Sequence, residues 1–242
     1  DVFSLLDRMN REQLLEMGAK GRTYAEKNAD WDPVISRYEK MLGLSEEKKR
    51  PPGARCVGLK AIHQMTPSLV YGDAITNQAM WIRAHLRRLG YNSEIFVERT
   101  DPLMKRQGRR LDSGKFRGKT GLIYHHSIHS RLSRHAIQHE GPKCLVYHNI
   151  TPPELVESFD PKLAERLEKG REELRVLERH FTLIASDSRY NSKELKEGGS
   201  ENAAILPICV DPKRWDQIPD PILMWELQDD CANILFVGRM VP

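Results

Sequence analysis

The chain has 242 residues and lacks any long apolar run. No apolar segment approaches the roughly 20 residues of a membrane-spanning helix. Asp7 and Arg8 interrupt the short apolar stretch at the N-terminus, which therefore does not have the pattern of a signal peptide. The hydrophobic and charged fractions, 39% and 30%, are those of an ordinary globular protein. We therefore expect a cytoplasmic protein that is not inserted in a membrane.

Cysteine is scarce, and its spacing matches no known pattern. The sequence has no Cys-x-x-Cys pair and no ladder of the kind found in disulfide-rich proteins. Each of the four cysteines lies in or beside an apolar, strand-like segment, which predicts buried free thiols in a reducing compartment. The four are Cys56, Cys144, Cys209 and Cys231.

Several motifs of known enzyme classes are missing. The sequence contains no Gly-x-Ser-x-Gly, no His-Glu-x-x-His and no closely spaced carboxylate pair, which argues against hydrolases. Gly-x-Gly-x-x-Gly and Walker patterns are absent as well. Six histidines lie near one another, but no cysteine or second paired motif accompanies them, so a zinc site is the less favoured of their possible roles. They are His125, His126, His129, His135, His139 and His148.

The net charge of +4 conceals a basic segment at residues 99–119. A segment of this kind suits a phosphate-rich partner or an anionic membrane surface, and it is equally typical of a solvated loop. We expect no nucleic acid partner because Phe116 is the only stacking aromatic in the segment. The basic residues are Arg99, Lys105, Arg106, Arg109, Arg110, Lys115, Arg117 and Lys119, against Asp101 and Asp112.

After residue 55, short apolar runs alternate with amphipathic stretches, which is typical of parallel strands with helices on both faces. The predicted fold class is α/β, with a Rossmann-like, doubly wound, mainly parallel sheet. The strands are predicted at 56–63, 93–98, 120–126, 143–148, 181–186, 203–207 and 233–238. The helices are predicted at 75–89, 161–178 and about 190–198, after an N-terminal helical appendage at 1–44 and a charged, proline-marked linker.

In doubly wound sheets, ligands bind outside the carboxyl ends of the strands, so the residues that follow each strand form the candidate site. Asp73 fits either a phosphate-facing loop or a simple helix N-cap. His125 and His126 face opposite ways along a strand, so one suits a substrate hydroxyl or phosphate and the other the core. The candidate residues are Gly72 and Asp73, His125 to Ser127, His148 and Asn149, and Ser186 to Ser188.

Five segments, in this order, carry a resemblance to a known family. They are Leu-Ile-Tyr-His-His at 122–126, Leu-Val-Tyr-His-Asn at 145–149, the stretch 181–195, Ile-Leu-Pro-Ile-Cys-Val-Asp at 205–211, and Ile-Leu-Phe-Val-Gly-Arg at 234–239. Together they resemble nucleotide-sugar glycosyltransferases of the GT-B fold, in particular the large retaining group called family 4. The resemblance covers about residues 55–242. Cys209 stands where that family usually has glycine.

The resemblance implies two Rossmann-like domains that face a cleft, the first holding the acceptor and the second the nucleotide sugar. Residues 55–231 are then the acceptor-side domain, and residues 232–242 are the first strand of a truncated donor-binding domain. Residues 1–49 resemble the closing helices of another glycosyltransferase module, and residues 50–54 form the linker. On this basis we expect adjoining glycosyltransferase domains as partners and an inactive fragment.

The resemblance also implies an activity: hexosyl transfer from a nucleotide-diphosphate sugar to a glycan or lipid-linked acceptor in polysaccharide biosynthesis. No metal or other cofactor is expected. The charge of the 99–119 segment, rather than the resemblance, suggests docking at the inner face of a membrane. The implied catalytic residues are His126 and His125; the donor or phosphate residues are Gly72, Asp73 and Arg239; the acceptor-side residues are His148, Asn149 and Ser188. The alternative is a non-catalytic module that binds glycan or a partner protein.

Overall fold

The computed structural model describes residues 10–28, 34, 36, 59–111, 120–209 and 217–228. In chain order the described elements are α1 (Arg11–Asn28), β1 (Ala61–Leu69), α2 (Ala74–Arg88), β2 (Ile95–Thr100), β3 (Arg109–Arg110), β4 (Thr120–His126), α3 (Leu132–Gln138), β5 (Lys143–Tyr147), α4 (Pro161–Glu178), β6 (Leu183–Ser186), α5 (Arg189–Glu197), β7 (Ala204–Ile205) and α6 (Pro221–Glu226). Short 3₁₀ turns occupy Pro102–Met104 and Pro153–Leu155.

The chain divides into two compact units. One comprises residues 34–208 and contains all the described strands together with α2 to α5. The other comprises residues 1–33 and 209–242, and its described elements are α1 and α6. Both α1 and α6 expose most of their side chains.

The larger unit is built on a sheet of seven described strands in the order β3-β2-β1-β4-β5-β6-β7, and every neighbouring pair is parallel. The central strands are almost completely buried, as parallel strands covered on both faces require. Met65 of β1 pairs with Phe96 of β2 and Tyr124 of β4, and these three side chains pack with α3 and α4. Ile95 and Val97 pack with Ala79 of α2. Helices therefore cover both faces, and the predicted Rossmann-like α/β architecture is confirmed.

Helix ends follow the capping signals in the sequence. The predicted helix at 161–178 is α4, with the Asp160 carboxylate accepting from the Leu163 backbone N–H at 2.9 Å and Pro161 in the first turn. The predicted helix at 75–89 is α2, and Gly90 follows it with φ of +87°. The predicted helix at about 190–198 is α5, which Ser188 caps by accepting from the Asn191 backbone N–H at 3.1 Å.

The predicted bounds of the first strand were wrong, although the strand itself exists. It covers Ala61–Leu69 and overlaps the predicted range at 61–63, whereas 56–58 lie outside the described residues. Residues 66–69 therefore extend the strand instead of opening a loop. Pro67 and Ser68 are turn-type residues, but β2 continues to pair along this stretch, with Ser68 opposite Arg99 and Leu69 opposite Thr100. Tertiary pairing therefore overrides the local turn signal.

The basic segment contains a strand that the sequence did not predict. β3 pairs with β2 through Arg109 and Arg110, opposite Phe96 and Val97. Two exposed arginines carry no strand pattern, so the pairing was not visible in the sequence. Residues 112–119, the linker at 50–54, most of the N-terminal segment 1–49, the predicted strand at 233–238, and Arg239, Cys56 and Cys231 lie outside the described residues.

Candidate functional site

The candidate site lies where the sheet reverses its strand order. From β1 the chain continues to β2 on one side, and from β4 it continues to β5 on the other, although β1 and β4 are neighbours. In open α/β sheets a crevice forms at such a switch point, outside the carboxyl ends of the strands. Residues 70–73 after β1 and residues 127–131 after β4 border this crevice.

The loop after β1 is short and locked to the start of α2. The Asp73 carboxylate accepts from the Thr76 backbone N–H at 2.8 Å and from the Thr76 hydroxyl at 2.9 Å, so Asp73 is the N-cap. Thr76 Oγ1 in turn accepts from the Val70 backbone N–H at 3.0 Å. Gly72 has φ of +78°, and a Cβ added there would meet nothing within 4 Å. The loop therefore offers an open backbone surface held in a fixed shape.

His125 belongs to a line of buried polar side chains on the sheet face that α2 covers. Its Nε2 donates to Gln64 Oε1 at 3.0 Å, and its Nδ1 shares a hydrogen bond with His148 Nε2, also at 3.0 Å. The two imidazoles stack at 5.3 Å between ring centroids. His148 Nδ1 lies 3.3 Å from Asp187 Oδ2. Complete burial, and then the neighbouring His148, hold the pKa of His125 well below its usual range.

His126 faces the opposite side of the sheet. Its Nε2 donates to the Gly170 carbonyl of α4 at 2.8 Å, whereas its Nδ1 has no partner among the described residues. Burial lowers the pKa of His126 to about 4, although the bond to Gly170 acts against that shift. The ring is therefore neutral near pH 7 and presents an unpaired nitrogen lone pair.

Gly170 allows α4 to approach the loop after β4 very closely. A Cβ at this position would lie 2.8 Å from His129 N and 3.1 Å from Ile128 C. Because Gly170 has no side chain, its carbonyl can reach His126, and α4 can pack directly against the backbone of Ile128 and His129.

Two carboxylates fix the same loop from its sides. Glu98 of β2 accepts from the Ser130 hydroxyl at 2.8 Å and from the Arg131 backbone N–H at 3.1 Å. Glu173 of α4 accepts from His129 Nδ1 at 2.7 Å and from the Ser133 hydroxyl at 2.9 Å. Burial acts to raise the pKa of Glu98, but the hydrogen bonds from Ser130 and Arg131 outweigh it and lower the pKa overall.

A cleft of about 210 Å³ opens beside this loop, between β2, β3 and α3. It contains one carboxylate, that of Glu98, and two guanidinium groups. One of these, Arg131, is ion-paired with Glu98 at 3.3 Å. The lining residues are Val97, Glu98, Arg110, Leu111, Arg131, Leu132 and His135.

The sequence-predicted site residues differ in how accessible they are. His125 and His126 are both 0% exposed, so neither imidazole touches solvent, and His148 is also buried. Asn149 is exposed, whereas Ser188 is half-buried because its hydroxyl caps α5. Tyr71 and Tyr190, which follow β1 and β6, are largely exposed at the same edge.

Sequence reasoning missed three residues that organise the site. Gln64, Glu98 and Glu173 each bond a loop or an imidazole that was predicted to matter. Asp187, which lies within the predicted stretch Ser186 to Ser188, contacts His148. The role of Gln64 could have been predicted from the sequence, because a glutamine inside an otherwise apolar strand must find a hydrogen-bond partner when it is buried. Glu98 at the end of β2 and Glu173 on the face of α4 were indistinguishable from solvated charges.

Two further predictions concern thiols and metals. Cys144 is a free, buried thiol, as predicted, and burial raises its pKa to about 12. Cys209 is buried as well. Within residues 10–28, 34, 36, 59–111, 120–209 and 217–228, no group of three or more His, Cys, Asp or Glu side chains is arranged to hold a metal ion.

The fold and site together define an α/β protein with a Rossmann-like parallel sheet and a switch-point crevice. None of its described helices is both long and apolar enough to cross a membrane. Comparison of the chain with models of protein families, with curated proteins and with solved structures finds no match.

Proposed function

We propose that this chain carries the acceptor-side domain of a retaining, nucleotide-sugar-dependent glycosyltransferase of the GT-B fold, of the family 4 type. In the proposed reaction, the bond between the anomeric carbon of the donor sugar and the diphosphate oxygen breaks. A bond from that carbon to an acceptor hydroxyl oxygen forms, and the hydroxyl proton leaves with the nucleoside diphosphate. The acceptor is a glycan or a lipid-linked glycan.

One observation carries the proposal: the motif segments converge at one edge of the sheet. Residues 70–73, 125–130, 147–149 and 186–188 follow or end β1, β4, β5 and β6, which are four adjacent strands. Neighbouring strands are about 4.8 Å apart, so the four segments span roughly 15 Å, a width that suits a sugar and its phosphate. The order of these segments along the chain is also the order in which the family resemblance places them.

His126 is the proposed contact to the reacting sugar. Its Nδ1 is fully buried and unpaired among the described residues, and it belongs to the last residue of β4. An unpaired buried acceptor is costly unless a ligand supplies the missing donor, and a sugar hydroxyl is such a donor. Because the ring does not reach solvent, this contact requires a displacement of residues 127–131 when the substrate binds. His125, on the opposite face of the sheet, acts through His148.

The remaining roles are proposed from position. Gly72 and the open backbone after β1 would approach the phosphates, while Asp73 holds that loop in shape. Asn149 and Ser188 would border the acceptor, with His148 beneath them. Arg239, outside the described residues, is the proposed partner of the donor diphosphate.

A lipid-linked acceptor is supported by exposed apolar side chains at the same edge. Leu103, Leu155, Phe159, Tyr71 and Tyr190 all follow strands at their carboxyl ends and remain exposed. Lys105 and Arg106, close to Leu103, are exposed as well. An apolar surface next to cations suits a lipid phosphate at an anionic membrane, and exposed apolar patches commonly mark interaction sites.

The experiment is a transfer assay on the protein that carries this chain. Radiolabelled UDP-, GDP- and dTDP-hexoses are offered with glycan and prenyl-phosphate-linked acceptors, and both nucleoside diphosphate release and the mass of the product are measured. We expect one donor to give stoichiometric release and a product heavier by one hexose residue.

The matched variants are His126→Gln and His180→Gln. Glutamine keeps a donor for the Gly170 carbonyl but removes the Nδ1 lone pair, so kcat/KM should fall by about tenfold or more, the equivalent of one lost hydrogen bond. His180 is exposed and lies just after α4, where its Nδ1 bonds the Val176 carbonyl, so its replacement should leave kcat/KM unchanged. Glycan binding without diphosphate release from any donor would refute the transferase and support the alternative, a non-catalytic binding module.

A further inference from the structure

The hydrogen bonds in the buried line of polar side chains on the α2 face determine how many protons its two imidazole rings carry. It runs from Gln64 of β1 through His125 of β4 and His148 after β5 to Asp187 after β6. Asp187 also accepts a hydrogen bond from Asn191 of α5 through its other oxygen. The line crosses four neighbouring strands: Gln64 lies within β1, His125 lies near the end of β4, and His148 and Asp187 directly follow β5 and β6.

The orientation of the Gln64 amide sets the first proton. Its Nε2 donates to the Ala79 carbonyl at 2.9 Å, and a carbonyl oxygen can only accept. The amide is therefore fixed with Oε1 towards His125, and His125 Nε2 must carry a proton to make the 3.0 Å bond.

The other two contacts each need one further proton. One proton lies between His125 Nδ1 and His148 Nε2, and one lies between His148 Nδ1 and Asp187 Oδ2. A free carboxylic acid is about two to three pKa units more acidic than an imidazolium, so the last proton belongs to the nitrogen. The two rings then share three ring protons, and together they carry one positive charge.

The charge belongs to His148 rather than to His125. His125 is completely buried, and its neighbours in the line are the neutral Gln64 amide and the second imidazole. His148 lies against the Asp187 carboxylate, whose side chain is 14% exposed.

We propose that His148 is an imidazolium held against the Asp187 carboxylate, and that Gln64 and Asp187 are positioning residues that fix its charge and the Nε2–H tautomer of His125. The ion pair ties the carboxyl end of β5 to the start of α5. It thereby sets the spacing between Asn149 and Ser188, the two residues proposed to border the acceptor; this last step rests on the proposed function.

The protonation state is tested on the wild-type chain without any activity assay. Long-range ¹H–¹⁵N correlation spectra of the imidazole rings, recorded at pH 7, distinguish a protonated ring nitrogen from a bare one. We expect both nitrogens of His148 to be protonated. His125 should show a protonated Nε2 and a bare Nδ1.

Asp187→Asn removes the carboxylate while keeping its shape. The new amide can donate to His148 Nδ1, so His148 should become neutral with its proton on Nε2, while His125 keeps its tautomer. Glu173→Gln is the matched control, because Glu173 bonds His129 on the other face and lies outside the line. It should leave the ring signals of His125 and His148 unchanged.

Two results would overturn the proposal. One is a bare Nδ1 on His148 in the wild-type spectrum at pH 7. The other is an Asp187→Asn chain whose His148 still has two protonated nitrogens. Neither result depends on sugar transfer, so the proton assignment and the glycosyltransferase proposal fail separately. If Asp187→Asn did not fold, the wild-type spectrum alone would decide.

Discussion

Acid should destabilise the sheet through the buried imidazole of His126. Its pKa is about 4 in the folded chain against an ordinary value of 6.5. Between these values the unfolded chain binds more protons than the folded chain, so the free energy of unfolding decreases as the pH falls. The stabilisation that the neutral His126 ring contributes is complete above pH 6.5 and is lost as the pH falls towards 4. At 1.36 kcal/mol per pKa unit, His126 alone should cost about 2 kcal/mol between pH 7.5 and pH 5.

His126→Gln isolates this contribution, because glutamine does not titrate and can still donate to the Gly170 carbonyl. Three other histidines, His63, His125 and His139, also have lowered pKa values and act in the same direction. The informative quantity is therefore the difference between wild type and variant in the pH dependence, not the wild-type loss itself. The variant should lose about 2 kcal/mol less than wild type over this pH range.

The assay measures the free energy of unfolding in urea at pH 7.5 and at pH 5. Unfolding is monitored by pulsed hydrogen exchange of peptides from Thr120–His126 and Lys143–Tyr147. These peptides report on the larger unit alone. His180→Gln, at an exposed histidine, is the control and should keep the wild-type pH dependence. If His126→Gln lost as much stability as wild type on acidification, the assignment of a neutral, buried His126 would be refuted.

Two substitutions test the packing around the crevice. Gly170→Ala should destabilise the larger unit by about 1–2 kcal/mol in urea unfolding, because the added Cβ meets backbone atoms of Ile128 and His129 and outweighs the helix preference of alanine. Gly21→Ala in α1 has nothing within 4 Å and should not be destabilising, so equal losses at both positions would contradict the close approach. Asp73→Ala should lower the free energy of unfolding by about 1 kcal/mol because α2 loses its N-cap. Asp73→Asn, which keeps a capping oxygen, should lower it by only a few tenths of a kcal/mol. An unchanged free energy of unfolding in Asp73→Ala would mean that the cap does not stabilise the helix.

The sequence was most informative where short-range chemistry decides the structure. α4 begins and ends as predicted because Asp160, Pro161 and the leucine periodicity all agree. β4 also has its predicted bounds, since it is a short apolar run between polar segments. β1 was misplaced because its residues are buried on both faces, which removes the alternation that would mark a register, and because Pro67 imitates a turn.

The candidate site was predictable in position but not in its contacts. The order of strands and the polar residues that follow them locate the carboxyl edge from pattern alone. By contrast, the bond from His126 to Gly170 joins residues 44 positions apart, and that from His125 to Gln64 joins residues 61 positions apart. Such pairs depend on the packing of the whole sheet and leave no local signal.

The carboxyl edge of the sheet is the proposed binding site for the sugar-transfer substrates. The most direct test of this proposal is amide hydrogen exchange of the protein that carries this chain, with and without a saturating nucleotide sugar that supports transfer, together with its acceptor. We expect slower exchange in residues 70–73, 127–131, 148–149 and 187–188, and no change in α1. Slower exchange confined to the amino ends of the strands, with these four segments unchanged, would contradict it.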